Sequence, residues 1–134
     1  MSATPPSYYR FLRLIEKNLG KDVTYDSDLT RVGRYLFGKK YLGTFPWDKR
    51  PKGSPGGSKV KGYYIVNLDK TGEPGTHWCA VADGLFYDSF GRALMPDRTD
   101  DDPEQHVLEN NCGQRCLAFL CVYERHGRAV AKKI

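Results

Sequence analysis

The sequence predicts a small α+β domain in which a short central antiparallel sheet is flanked by helices. Apolar residues recur at helical spacing in 7–19, 28–37 and 112–124. Between these segments, two apolar runs flank an Asp-Gly pair, which is typical of a β-hairpin. Because 134 residues suffice for one core, we expect a single domain over 1–134, with 1–25 as an N-terminal helical extension.

The two N-terminal helical segments carry start and stop signals. A serine near the start of each segment can accept a hydrogen bond from the first turn, and a glycine after each can end the helix. The expected caps and stops are Ser7 and Gly20 for the first helix, and Ser27 and Gly38 for the second.

The middle of the chain begins with YLGTFPWDKRP, an aromatic segment without a clear period, which we expect to be irregular. A Gly- and Pro-rich loop follows, and 61–68 (KGYYIVNL) reads as a buried strand.

The Gly- and Pro-rich loop is basic. It has five cations and no acidic residue, and the chain has a net charge of +5. Such a loop can contact the phosphates of nucleic acid, although a solvated loop that aids solubility explains the composition more simply. The candidate DNA contacts are Lys49, Arg50, Lys52, Lys59 and Lys61.

The segment THWCAVADGLFYDSFG, 76–91, predicts a pair of polar side chains. A two-residue turn at Asp83-Gly84 sets Cys79 opposite Asp88. Because side chains alternate along a strand, His77 then lies diagonally across from Asp88 on one face. An imidazole and a carboxylate can bridge that distance, so we expect a contact between them. Two polar residues on the solvent side of a hairpin are the simpler alternative.

The segment NNCGQRCLAFLC, 110–121, places a cysteine in the first turn of an apolar helix. There the orphan N–H groups and the helix dipole favour a thiolate, so Cys112 is the candidate nucleophile. Cys116 and Cys121 lie further along the helix, where we expect them to be core residues.

The cysteine and histidine spacing argues against a structural zinc site, since the chain has no Cys-x-x-Cys pair. His77 and Cys79 could supply two ligands, but we expect no metal. The spacing is also unlike a disulfide framework. The chain has no membrane-length apolar run, and its first 20 residues are unlike a signal peptide, so we expect neither a membrane partner nor secretion.

The order of these motifs resembles the adenovirus-type cysteine proteases, the adenain family, whose clan includes the SUMO proteases. The family order is His-Trp, an acid followed by a small residue and Phe-Gly, then Gln, then Cys-Gly. The corresponding residues are His77-Trp78, Asp88-Ser89-Phe90-Gly91, Gln105 and Cys112-Gly113. The likeness covers about 28–123 and includes YLGTFPWDKRP.

The resemblance implies a fold and a division of catalytic roles. The nucleophile Cys112 would stand at the N-terminus of a buried helix in an adenain or SUMO-protease fold. His77 would be the general base and acid, Asp88 would orient it, and Gln105 would help to hold the oxyanion. Trp78 would pack beside the histidine, and it and Gly113 would border the bound substrate.

The resemblance also implies a biological role. Such a protease would be a monomeric viral thiol endopeptidase that cleaves capsid or core precursors at Gly-Gly or Gly-x-Gly sites during virion maturation. It would act in the virion and the infected cell, in the cytoplasm or nucleus. Its chemistry would need no cofactor. DNA stimulation would depend on the basic loop, and the family's peptide activator is in doubt because its attachment region has no clear counterpart here.

Other functions stay open at this point. A deSUMOylase or deubiquitinase on the same fold would also recognise Gly-Gly tails, and an acyltransferase could use the same Cys and His with acyl-CoA. A non-catalytic, basic, nucleic-acid-binding module would bind DNA without any need for Cys112.

Overall fold

A computed structural model of the chain describes residues 4–53, 60–68, 77–89 and 111–134. Its four α-helices are α1 (Pro6–Leu19), α2 (Asp26–Phe37), α3 (Cys112–His126) and α4 (Arg128–Ala131). Its four strands are β1 (Tyr41–Pro46), β2 (Tyr63–Asn67), β3 (Trp78–Ala82) and β4 (Leu85–Tyr87). Short 3₁₀ turns, Gly38–Lys40 and Trp47–Lys49, flank β1. The predicted α+β class is confirmed.

The sheet is mixed, with the strand order β1-β2-β3-β4. β1 pairs with β2 in parallel, whereas β2–β3 and β3–β4 are antiparallel. The prediction of an antiparallel sheet is therefore wrong at β1, which lies in the segment predicted to be irregular. The pairing of β1 shifts register between Tyr41 and Gly43, and this irregularity removes the alternation by which a strand is recognised.

The hairpin between β3 and β4 has the predicted two-residue turn. Asp83 has a φ of 47° and Gly84 a φ of 84°, the pair of positive values that a type I′ turn requires. The register runs from Ala82 opposite Leu85 to Ala80 opposite Tyr87, as the sequence predicts. Asp83 also accepts a hydrogen bond from the backbone N–H of Gly62 at 2.7 Å, which ties the turn to the start of β2.

Both N-terminal helices begin before the serine that was expected to cap them. α1 starts at Pro6, whose fixed φ suits the first helical position, so Ser7 lies inside the helix. α2 starts at Asp26, and the Asp28 carboxylate accepts the Tyr25 backbone N–H at 3.4 Å, so Ser27 is also internal. The predicted glycine stops are confirmed, with Gly20 and Gly38 directly after the two helices.

The main core lies between one face of the sheet and the helices α1, α2 and α3. α3 is buried from Cys112 to Val122, and α1 packs along it through Tyr8, Leu12 and Ile15. Burial around the whole circumference of α3 places its first turn inside the domain, against the sheet. None of the described helices combines the length and the apolarity needed to cross a bilayer.

Candidate active site

His77 and Asp88 meet at one end of the β3–β4 hairpin. His77 directly precedes β3, and Asp88 directly follows β4. The His77 Nε2 lies 2.7 Å from Asp88 Oδ1, and only 3% of His77 and 0% of Asp88 is exposed. The predicted contact between the two side chains is therefore present. Their burial contradicts the simpler reading of a polar, solvent-facing side of the hairpin.

The environment of His77 favours the charged imidazole. Burial by itself disfavours the imidazolium and lowers the pKa of His77. Hydrogen bonds with Asp88 and with the thiol of Cys112 outweigh this effect, so that the pKa of His77 is raised above its ordinary value. The imidazole of His77 thus interacts with both a carboxylate and a thiol.

The backbone of His77 is hydrogen-bonded to the residue directly after the neighbouring strand β2. Its carbonyl oxygen accepts a hydrogen bond from the N–H of Leu68 at 3.1 Å, which extends the pairing of β2 and β3 by one step. The imidazole is therefore carried by a continuous sheet and not by a separate loop, which limits its freedom to rotate away from Asp88.

Cys112 is the first residue of α3, as the sequence predicts, and 7% of it is exposed. Asn111 is the N-cap residue but makes no side-chain capping hydrogen bond. Its Oδ1 instead accepts a hydrogen bond from Arg115 Nε at 3.1 Å. Cys112 thus lies in the first turn of α3, where the backbone N–H groups have no partner within the helix.

The other two cysteines of α3 are core residues. Burial raises the pKa of Cys116 well above its ordinary value and that of Cys121 to about 12, so both stay protonated at neutral pH. No disulfide joins the four cysteines, all of which lie in described segments. The prediction that Cys116 and Cys121 fill the core is confirmed.

Trp78 and Gly113 both rest against Thr24, in the segment between α1 and α2. Trp78 is buried and donates its indole N–H to the Thr24 carbonyl oxygen at 3.2 Å. A β-carbon at Gly113 would lie 2.1 Å from Thr24 Oγ1. The structure thus places both residues in internal packing contacts, while their predicted role at the bound substrate stays a prediction.

The same segment holds α3 through Gln114. Its Nε2 donates to the carbonyl oxygens of Gly20 and Asp22, each at 2.8 Å. Together with the contact at Gly113, these bonds attach the first turn of α3 to the chain that leaves α1.

A metal ion has one candidate location in the part of the chain that the structure describes. His77, Cys79 and Asp88 are buried, and one ligand atom from each lies within 4.8 Å of the others. Histidine, thiolate and carboxylate are all zinc ligands. However, the hydrogen bond between His77 Nε2 and Asp88 Oδ1 already joins two of these groups, so the geometry favours a hydrogen-bonded pair.

The basic residues do not form a uniform patch. Arg50 stacks on Trp47, with the guanidinium carbon 3.9 Å from the ring centroid, and its Nη1 donates to the Trp47 carbonyl oxygen at 2.7 Å. Lys49, Lys52 and Lys61 are exposed to solvent. Lys59 and Gln105 lie outside the described residues, so their roles stay predictions.

The polar contacts around the first turn of α3 were not predicted from the sequence. Arg115 is 7% exposed and donates to the hydroxyl of Tyr8 as well as to Asn111. Two long polar side chains, Gln114 and Arg115, follow directly on Cys112-Gly113 and precede the apolar run 116–122. Their position beside the candidate nucleophile was the signal from which these contacts could have been predicted, because a buried polar side chain requires hydrogen-bond partners.

Comparison of the chain with protein families, with curated proteins and with solved structures finds no match. The resemblance to the adenain-type proteases therefore stays an expectation from the order of the sequence motifs. The imidazole of His77 interacts with both the Asp88 carboxylate and the Cys112 thiol, a combination of groups that can activate a sulfur nucleophile.

Proposed function

We propose that the protein is a cysteine endopeptidase in which Cys112 is the nucleophile, His77 the general base and acid, and Asp88 the group that orients His77. The observation that carries this proposal is the position of His77, whose Nε2 lies 2.7 Å from Asp88 Oδ1 and whose pKa is raised by Asp88 and by the thiol of Cys112. A buried imidazole between a carboxylate and a thiol is the arrangement by which a nucleophile is activated.

Acylation uses both ring nitrogens of His77. Nε2 is bonded to Asp88, so Nδ1 is the nitrogen that takes the proton from Cys112. The thiolate attacks the peptide carbonyl carbon, the carbonyl electrons move to oxygen, and the helix N-terminus stabilises that charge. The imidazolium then gives its proton to the leaving amine as the C–N bond breaks, which leaves a thioester on Cys112.

Deacylation reverses these roles. His77 removes a proton from a water molecule, and the resulting hydroxide attacks the thioester carbonyl carbon. The C–S bond breaks, the carboxylic acid product leaves, and the proton returns to the sulfur. Asp88 stabilises the imidazolium at each stage, as the orienting acid does in other triads. In the proposal, Gln105 supplies a side-chain donor to the oxyanion.

The finer fold and the biological role are part of the same proposal. The α+β fold, the buried helix that begins at Cys112 and the hairpin that carries His77 and Asp88 are compatible with an adenain or SUMO-protease fold. On that basis we propose cleavage of virion precursor proteins after glycine-rich sequences. A ubiquitin-like Gly-Gly tail is the alternative substrate, and acyl transfer from acyl-CoA uses the same two residues.

The proposal is tested first without a substrate, by the rate at which iodoacetamide alkylates each cysteine of the native chain. Peptide mass spectrometry distinguishes Cys112 from Cys79, Cys116 and Cys121. We expect Cys112 to react about tenfold faster than an unfolded cysteine at about pH 6, and His77→Ala to remove this advantage. The matched control is His126→Ala, which replaces an exposed histidine at the end of α3.

Activity assays then separate the candidate reactions. Peptides containing Leu-x-Gly-Gly or Leu-x-Gly-x-Gly, a ubiquitin-like protein and an acyl-CoA with a lysine acceptor are each incubated with the wild type and with Cys112→Ala. Hydrolysis that the substitution abolishes supports the peptidase. A Cys112 that reacts no faster than the unfolded chain, with or without DNA, contradicts the proposal and favours a binding module.

A further inference from the structure

A buried chain of polar side chains connects the strand that precedes Asp88 with the first turn of the helix that carries Cys112. Its centre is Tyr8 of α1, which is fully buried. We propose that Tyr8 is a positioning residue, whose hydroxyl sets the separation between the His77–Asp88 pair and the thiol of Cys112. This inference rests on the proposed function.

On the side of the sheet, Tyr8 contacts the residue next to Asp88. The hydroxyls of Tyr8 and Tyr87 are 2.9 Å apart, and Tyr87 is the last residue of β4. The ring of Tyr87 also stacks on Phe119 of α3, with ring centroids 4.7 Å apart. The backbone that leads into Asp88 is therefore held both by ring packing and by one hydroxyl–hydroxyl bond.

On the side of the helix, Tyr8 contacts a buried cation. Arg115 Nη1 donates to the Tyr8 hydroxyl at 3.3 Å, and Arg115 Nε donates to Asn111 Oδ1 at 3.1 Å. Asn111 directly precedes Cys112, and its Nδ2 donates to Glu16 Oε2 at 3.1 Å. α1 therefore holds the start of α3 at two points, through Tyr8 by way of Arg115 and through Glu16.

The energetic reason for a fixed geometry is the cost of leaving these groups without hydrogen bonds. A buried hydroxyl or guanidinium that loses its hydrogen bonds has a high free energy, more so for the charged group. A displacement of α3 relative to β4 would break the bonds of Arg115, Tyr8 and Tyr87 together. Apolar contacts alone would tolerate such a displacement more readily, because they have little directionality.

The proposed reaction depends on this separation. Cys112 is the first residue of α3 and His77 directly precedes β3, so the interaction between them depends on how the helix lies against the sheet. Displacements of the order of an ångström between reacting groups lower rates strongly. Removal of the Tyr8 hydroxyl should therefore lower the reactivity of Cys112.

The test compares four full-length variants by the rate of Cys112 alkylation as a function of pH. Tyr8→Phe and Tyr87→Phe each remove one hydroxyl of the network and keep the ring. Tyr41→Phe is the control, since it removes a buried hydroxyl that bonds to Thr44 in β1, away from this network. The fourth variant combines Tyr8→Phe with Tyr87→Phe. Thermal unfolding of each variant reports general loss of stability.

We expect each single network variant to lower the Cys112 rate about tenfold and to move its pH profile towards that of the unfolded chain. The Cys112 rate of the double variant should fall about tenfold and not about a hundredfold, because both substitutions break the bond between the two hydroxyls. The Tyr41→Phe variant should keep the wild-type rate and profile even where its unfolding temperature falls.

Two results would overturn the inference, and they differ in what they mean for the proposed function. A wild-type Cys112 that reacts like a cysteine of the unfolded chain overturns both. A wild-type Cys112 that is selectively reactive, together with Tyr8→Phe and Tyr87→Phe variants that keep its rate and profile, overturns only the positioning role of Tyr8. Should Tyr8→Phe fail to fold, Tyr87→Phe alone decides between these outcomes.

Discussion

Gly113 contacts Thr24 so closely that a β-carbon on the glycine would lie 2.1 Å from Thr24 Oγ1. The backbone of the same threonine accepts the indole N–H of Trp78. Trp78 follows His77, and Gly113 follows Cys112. One buried residue in the segment between α1 and α2 thus packs against the neighbours of two proposed catalytic residues, His77 and Cys112.

The first prediction concerns this contact. Gly113→Ala should lower the free energy of unfolding by about 1–3 kcal/mol, because Thr24 and Leu29 leave no space for a methyl group. Thr24→Ala in the same chain should restore part of that loss, since it removes the hydroxyl that the methyl would meet. Urea unfolding of both single variants and the double variant measures the coupling. Additive effects of the two substitutions would show that Thr24 does not limit the space at Gly113.

The contact between His77 and Asp88 could be predicted from the sequence because it depends on short-range rules. The Asp83-Gly84 turn fixes the hairpin register, and the register with strand alternation fixes which side chains share a face. The position of Cys112 followed in the same way from helical spacing. These inferences needed no knowledge of how helices and strands pack together.

The contacts that cross between α1, the sheet and α3 could not be predicted in this way. From the sequence, Tyr8 could be placed only in the apolar helical segment 7–19, and no role was predicted for Arg115. Their contacts join residues 107 positions apart, and no local period specifies such a distance. The same holds for β1, whose parallel pairing with β2 is a long-range feature and whose register shift hides the strand pattern.

The second prediction is a dependence of stability on pH. The pKa of His77 is raised because its hydrogen bonds with Asp88 and Cys112 outweigh burial, which lowers it. Protonated His77 therefore stabilises the folded chain. This stabilisation is complete below about 6.5, the pKa of histidine in the unfolded chain, and is lost as the pH rises through the pKa of His77 in the folded chain. Asp88→Asn should therefore lower the free energy of unfolding more at about pH 6 than at about pH 9.

Denaturant unfolding of the wild type and of Asp88→Asn at both pH values checks this prediction. Asp22→Asn, a replacement of an exposed aspartate, is the control for the change in net charge. An equal loss at the two pH values would mean that Asp88 does not stabilise a protonated His77.

The third prediction concerns the buried cysteines. Cys116 and Cys121 should resist alkylation in the native chain up to about pH 9, because a buried thiol with a raised pKa is both protonated and inaccessible. Both should react in denaturant at the rate of an ordinary thiol. Cys116→Ser should destabilise the fold by about 1–3 kcal/mol, since it buries a hydroxyl in an apolar site. Fast native labelling of Cys116 would show that the core around α3 opens readily.

The fourth prediction concerns DNA binding by the basic loop. Replacement of Lys49, Lys52 and Lys61 by alanine should weaken binding to DNA of any sequence and reduce the salt dependence of log K by about one for each lysine in contact with a phosphate. Arg50 is left unchanged because it stacks on Trp47. A second triple variant, of the exposed Lys17, Lys132 and Lys133, has the same net charge and should bind DNA like the wild type. Equal losses in the two variants would indicate that only net charge matters.

The last prediction decides between a hydrogen-bonded pair and a metal centre at His77. Cys79, which the proposed mechanism does not use, lies with His77 and Asp88 in the group that could hold an ion. If His77 and Asp88 act as a pair, extensive dialysis against EDTA should leave the reactivity of Cys112 unchanged. Cys79→Ala should also keep it within about threefold, since the substitution removes only a small buried side chain. The contrary result is a loss of Cys112 reactivity in EDTA that Zn²⁺ restores in the wild type but not in Cys79→Ala. It would assign His77, Cys79 and Asp88 to a zinc site, because a metal needs all of its ligands. The proton transfer proposed for His77, in contrast, needs only Asp88 and Cys112.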